Sequence, residues 1–153
     1  MKKITTIMYF GIIAFFLLGL FFCGYYAPNT FGLYSGTNGI WESTELIFYW
    51  LCSVPCFILL CLAVKITYLV KKGEFFSLTT VKLLSIGGYL LAADSITFIV
   101  VNIVFAILRK SLNTEVLMTL FSLVGLAIGV SMILISKAVE QSKQYKDSGE
   151  GVI

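Results

Sequence analysis

Four long apolar runs constrain this chain more than any other feature. They lie at about residues 4–26, 45–70, 79–108 and 115–138, and the charge-poor part of the third starts at Leu83. A helix needs about 20 apolar residues to cross roughly 30 Å of hydrocarbon, and each run is long enough. Of 153 residues, 59% are hydrophobic and 12% are charged, against roughly 25% charged in an ordinary soluble domain. A water-soluble domain of this size could not cover so much apolar surface. The composition excludes intrinsic disorder, a coiled coil and a disulfide-knit secreted module. The expected fold is all-α: an integral membrane up-down bundle of four transmembrane helices, one domain over 1–153. A short cytoplasmic helical tail is expected over 139–153.

The first run begins after Lys2 and Lys3 and resembles a secretory signal at first sight. It is longer than a signal core, and no small-x-small cleavage site follows Cys23, so it reads as a true span. Tyr25, Tyr26, Trp41, Tyr49 and Trp50 sit near the expected outer ends, where amphipathic rings favour the headgroup layer. With the N-terminus inside, the inner side holds Lys2, Lys3, Lys65, Lys71, Lys72, Lys82, Lys137, Lys143 and Lys146. The outer side holds Arg109 and Lys110, with Glu42, Glu45 and Glu115. Nine basic residues against two place both termini in the cytoplasm by the positive-inside rule.

The connections are short, so neighbouring spans run antiparallel. The first outer one, about 27–44, is rich in Gly, Asn, Ser and Thr, with Phe31, Tyr34 and Trp41; an ordinary turn-rich link accounts for it better than a recognition surface. In the inner link KKGEFFSLTT, Lys71 and Lys72 suit a helix C-terminus, Gly73 a stop, and Ser77 or Thr79 a cap. Asn113 or Thr114 can cap the last span, and Gly149 and Gly151 are expected to end the tail helix.

Asp94 is the one charged residue deep within a run, twelfth from Leu83. An ionised carboxylate at that depth costs at least about 2.5 kcal/mol, so it must be neutral, paired or turned to a wet cavity. On the helical wheel Gly87, Gly88, Ser95 and Asn102 fall on the same broad face. Asp94, Ser95 and Asn102 are therefore the candidate ligand or proton site. A structural hydrogen bond between helices is the competing reading. Gly125 and Gly129 have GxxxG spacing, with Ser122 on their stripe, and Gly87 and Gly88 offer a matching small surface. These five are the candidate helix-packing residues, within the chain or in a homodimer. Pro55 interrupts the second span and predicts a kink. Cys52 and Cys56 share a face but read as inert buried thiols, and a Cys23–Cys52 disulfide is left open.

Enzymes are hard to build from this inventory. There is no histidine, which removes imidazole-based triads and dyads, bis-histidine haem and histidine-ligated zinc. Aspartyl proteolysis needs two intramembrane carboxylates. The glycines of LSIGG lie inside a span and cradle no phosphate. No catalytic residue, metal site or cofactor is expected. The dispersed lysines suit anionic membrane lipid rather than direct nucleic-acid binding.

The stretch KKGEFFSLTTVKLLSIGGYLL resembles the bacterial membrane-protein family catalogued as domain of unknown function 2975. That family has a link of the form K-x-G-x-x-F-S before a basic, Leu-rich, Ile-Gly helix start. Lys71, Gly73, Phe76, Ser77, Lys82, Leu83, Ile86 and Gly87 match it. The end, with Lys137, Ala138, Val139, Glu140, Lys146, Asp147, Glu150, Val152 and Ile153, is similar too, although Gly151-Val152 replaces the usual Leu-Thr. The resemblance implies a small four-helix membrane protein, often encoded beside a helix-turn-helix regulator, with no known reaction.

Two functions follow as expectations. The first is a non-enzymatic regulatory protein of the bacterial cytoplasmic membrane. Its cytoplasmic face (Lys71, Lys72, Phe75, Phe76 and Tyr145) would engage a partner such as that regulator. The second is a small dimeric transporter or immunity-type protein using Asp94 as a titrating group. Asp94→Asn separates them: substrate-linked proton movement into vesicles is abolished under the second reading, whereas the first expects none to abolish.

Overall fold

The computed structural model describes residues 2–30, 36, 39–109 and 113–150, and it is all-helical, as the composition required, with no strand among the described residues. The expectations placed on Phe31, Tyr34, Lys110, Gly151, Val152 and Ile153, and on the side chains of Lys2, Trp41, Glu42, Arg109, Asn113, Thr114, Glu115 and Glu150, lie outside the described residues. Helix α1 spans Lys2–Phe21 and passes through a π turn, Phe22–Tyr26, into the short α2, Ala27–Thr30. Then come α3 (Ile40–Lys72), α4 (Leu78–Arg109) and α5 (Asn113–Glu150). Four helices are long and apolar enough to cross a membrane: Lys3–Thr30, Ser43–Lys72, Leu78–Leu108 and Val116–Gly149. The protein is a multi-pass membrane protein by this measure.

Burial departs from the pattern of a protein in water, because large apolar side chains stand exposed while polar ones join the buried set. Ile7, Phe10, Phe15, Leu17, Ile107 and Phe121 are exposed, while Thr5, Thr67, Ser95, Asn102, Ser122 and Ser136 are buried. Hydrocarbon is as good a solvent for Leu as the protein interior is, so apolar side chains gain little by packing inward. Polar ones must find partners. Several hydroxyls do so on their own helix, donating one turn back: Thr67 to the Ala63 carbonyl at 2.8 Å, Thr97 to Ala93 at 2.9 Å and Ser122 to Met118 at 2.9 Å.

The chain divides into two compact units, Met1–Tyr68 and Leu69–Ile153. In the first, α1 and α3 run antiparallel. The Phe16 and Phe57 rings meet edge to face at 5.8 Å between centroids. Gly19 leaves the room that Phe57 fills, since a Cβ there would lie 3.4 Å from the ring. Further along, the Trp50 indole N–H donates to the Cys23 carbonyl at 3.0 Å. That carbonyl lies inside the π turn, where the Ala27 N–H reaches back to the Phe22 carbonyl instead. Pro28 supplies the local reason. Its ring clashes with the carbonyl four residues back and it has no N–H, and a widened turn relieves the clash. The expected turn-rich link from residue 27 is thus partly helical, because α2 prolongs the first span and α3 begins at Ile40. Helix α3 continues through Pro55.

In the second unit α4 and α5 lie antiparallel in backbone contact. A Cβ on Gly88 would sit 2.8 Å from the Gly129 carbonyl oxygen, and one on Gly129 would sit 2.9 Å from the Ala92 nitrogen and 3.0 Å from the Gly88 oxygen. A Cβ on Gly125 would meet the Ser95 hydroxyl at 2.8 Å. At one end the seam closes with Ser136, whose hydroxyl donates to the Val81 carbonyl at 2.9 Å. Helix α5 runs on from the fourth span as far as Glu150, which lies between Gly149 and Gly151, the two glycines expected to end it.

The seam generates a direct test. Gly129→Ala should destabilise by ~1–3 kcal/mol, because the added methyl meets backbone that cannot swing away. Gly11→Ala, where nothing lies within 4 Å, should be neutral or slightly stabilising. Thermal unfolding in detergent compares them, and equal midpoints would refute the tight seam.

Candidate functional site

Two regions carry the residues singled out from the sequence. The first is the middle of the α4–α5 seam. Ser95 and Asn102 are seven residues apart and share one face of α4, both buried. Asn102 donates to the Phe98 carbonyl of its own helix at 2.7 Å. Ser95 faces Gly125. Ser122, buried on the stripe of Gly125 and Gly129, bonds within α5. Gly87 is buried beside Gly88. Asp94 is half-buried and engaged in an interaction. It lies about 100° round the helix from Ser95 and about 20° from the buried Gly87. Ser95 and Asn102 thus share one buried stripe of α4, with Asp94 on the flank of the same broad face. All four cysteines are free thiols, with Cys52 buried and Cys56 and Cys61 exposed, so Cys56 is not the buried thiol expected. No group of three metal-ligating side chains occurs among the described residues.

Sequence reasoning passed over one acid. Glu45, placed at the outer start of the second span, lies inside α3 and is only 1% exposed. It is engaged in an interaction. Leu46, Tyr49 and Cys52 continue its buried stripe. The register set by Trp50 and Cys23 brings Ala27 and Pro28, also buried, to about its level. The signal was present as the i, i+4, i+7 spacing of Glu45, Tyr49 and Cys52, which continues the apolar face of the span one turn outward.

The second region is the link between α3 and α4, within the second unit. Gly73 has φ +78°, and its N–H donates to the Val70 carbonyl at 3.0 Å while the Glu74 N–H donates to Leu69 at 2.9 Å. This is a Schellman stop. Four residues later Ser77 caps α4, its hydroxyl accepting the Thr80 N–H at 3.3 Å. Of the two caps the sequence allowed, Ser77 therefore takes the role and Thr79 does not. Thr80 is fully buried and ties both motifs together. Its hydroxyl donates to the Glu74 carbonyl at 3.3 Å and lies 3.2 Å from the Ser77 hydroxyl. The link is a rigid double cap. It carries Phe75 and Phe76 as an edge-to-face pair at 5.4 Å, with Phe76 63% exposed and Lys71 and Lys72 exposed beside them.

Tyr145 belongs to a separate feature. The Val81–Ser136 bond places Val139 opposite the first residue of α4. Residues 140–150 therefore overhang by about 16 Å of helix at 1.5 Å per residue. Tyr145 on this overhang is 79% exposed, with Gln144, Lys146 and Asp147 around it.

A family model described as "Protein of unknown function (DUF2975)" matches residues 3–153. No curated protein and no solved structure matches the chain.

The double cap predicts the behaviour of the link. Ser77→Ala should cost ~1 kcal/mol locally, and Gly73→Ala a similar amount through its left-handed backbone. Tryptic cleavage after Lys71 or Lys72 should then quicken about fivefold, the population change that ~1 kcal/mol produces. Unaltered cleavage in both variants would show that the link is not held by these caps.

Proposed function

The chain belongs to the DUF2975 family, and on that footing we propose that it is a non-enzymatic regulatory protein that holds a cytoplasmic protein partner at the membrane. The observation that carries this reading is the exposure of Phe76 on a link whose other members have structural tasks. Gly73 stops one helix, Ser77 starts the next and Thr80 joins them. Phe76 has no such task, stands in the open beside Lys71 and Lys72, and is held rigidly, so a partner that meets it pays little ordering entropy.

The overhanging end of α5 supports the same reading. It is polar around its circumference over 140–150, so lipid is not its solvent, yet it is helical. A polar helix extending clear of its own packing partner suits a docking element. The bias of nine basic residues against two supports an orientation with both termini in the cytoplasm of a bacterial cell, which puts link and tail on one side. The family resemblance supplies the partner class, a small helix-turn-helix regulator, with the nucleic acid contacted by the partner and not by this chain.

Affinity capture from solubilised membranes tests it. The full chain should retain a soluble protein that is lost, by tenfold or more, from Phe76→Ala and from a chain truncated after Glu140. A set of captured proteins identical for all three would remove the reading.

A further inference from the structure

The α4–α5 pair carries a second feature that the partner-holding reading does not use. Val81 and Ser136 face each other across the seam, joined by their hydrogen bond. The next residue on each helix is a lysine, Lys82 and Lys137, and both are exposed. Each lies about 100° round its helix from the seam. Because the helices are antiparallel and both right-handed, those two rotations carry the lysines to the same side of the pair. In depth they differ by only about 3 Å. Two cations from different helices thus share one lane of the surface, at the end of the apolar runs.

The rest of the lane is equally specific in character. Deeper in the span the same side of the pair presents Ile86 on α4 and Val130 on α5, both exposed. Among the described residues of α4 and α5, no carboxylate shares this lane. Glu140, the nearest acid along α5, lies about 60° closer to the seam. A positive clamp at headgroup level above an apolar strip is complementary to a molecule with a phosphate head and hydrocarbon tails.

We infer that Lys82 and Lys137 form a binding site for the headgroup of an anionic phospholipid, with its acyl chains lying along Ile86 and Val130. The phosphate sits between the two ammonium groups. A bound anionic lipid bridges α4 and α5 at the end where α5 continues into the overhang. The commitment is to a membrane lipid and not to free phosphate, because the apolar strip has no counterpart in a soluble anion.

Native mass spectrometry of the full chain in detergent, titrated with phosphatidylglycerol or phosphatidylcholine, tests the site. Phosphatidylglycerol should be retained in preference. Each single change, Lys82→Gln or Lys137→Gln, should weaken it about fivefold, which is ~1 kcal/mol per basic residue near an anionic charge. The double change should abolish the preference, and Lys82→Arg with Lys137→Arg should keep it. Lys143→Gln with Lys146→Gln removes the same charge from the overhang and should leave the preference intact. Circular dichroism of each variant establishes that the helices persist, and if the double variant does not fold the two single changes carry the reading. Three results overturn the inference: an undiminished preference in the folded glutamine variants, an equal loss in the overhang variant, or displacement of the lipid by inorganic phosphate at matched concentration.

Discussion

The contact between the backbones of Gly88 and Gly129 is the interaction on which the second unit depends. With no side chain on either residue, α4 and α5 approach until the carbonyl of one lies where a methyl of the other would have been. In hydrocarbon there is little hydrophobic gain from joining two helices, so association rests on dispersion at close range and on hydrogen bonds. The glycines set the distance. Ser136 and Val81 set the register. Once both are set, every other residue of the pair has a defined depth and side. Ser95 meets Gly125, Val139 comes level with the start of α4, and Lys82 and Lys137 emerge side by side.

Lipid as the solvent explains why polar residues are few and why the hydroxyls bond to carbonyls, whether buried as at Ser122 or exposed as at Thr97 and Ser131. Hydroxyls that bond one turn back on their own helix cost little at any position. Carboxylates have no such option, which makes Asp94 and Glu45 the informative ones. Both are engaged in interactions. Asp94 stands out in the sequence because charges are absent for eleven residues before it. Glu45 does not, because it stands at the very start of its run and Glu42 precedes it by three residues. Its burial follows from α3 starting earlier than the apolar run implies.

The link between α3 and α4 shows how a short motif acquires meaning. As a string, K-x-G-x-x-F-S is a resemblance. In the structure its glycine adopts a left-handed turn that a side chain would strain, and its serine supplies an acceptor to an N–H that has no partner inside the helix. These are demands of two helix ends placed four residues apart. The phenylalanine answers no such demand. Separating residues that hold the link from the residue that the link holds out is the step from fold to function here.

The sequence by itself determined the solvent, the helical class, the number of membrane-length helices, the glycine stop and the range of caps for α4. Each depends only on local composition or on spacing along one helix, which apolar length, charge and turn chemistry report directly. Other features were decided by the tertiary structure alone. It selected Ser77 over Thr79 through the bonds around Thr80. It opened the π turn before Pro28 where the Trp50 indole takes the Cys23 carbonyl. The reason is common to all of them. A helical wheel gives the angle between two residues of one helix, but which angle faces a neighbour, and at what depth, depends on atoms from another part of the chain.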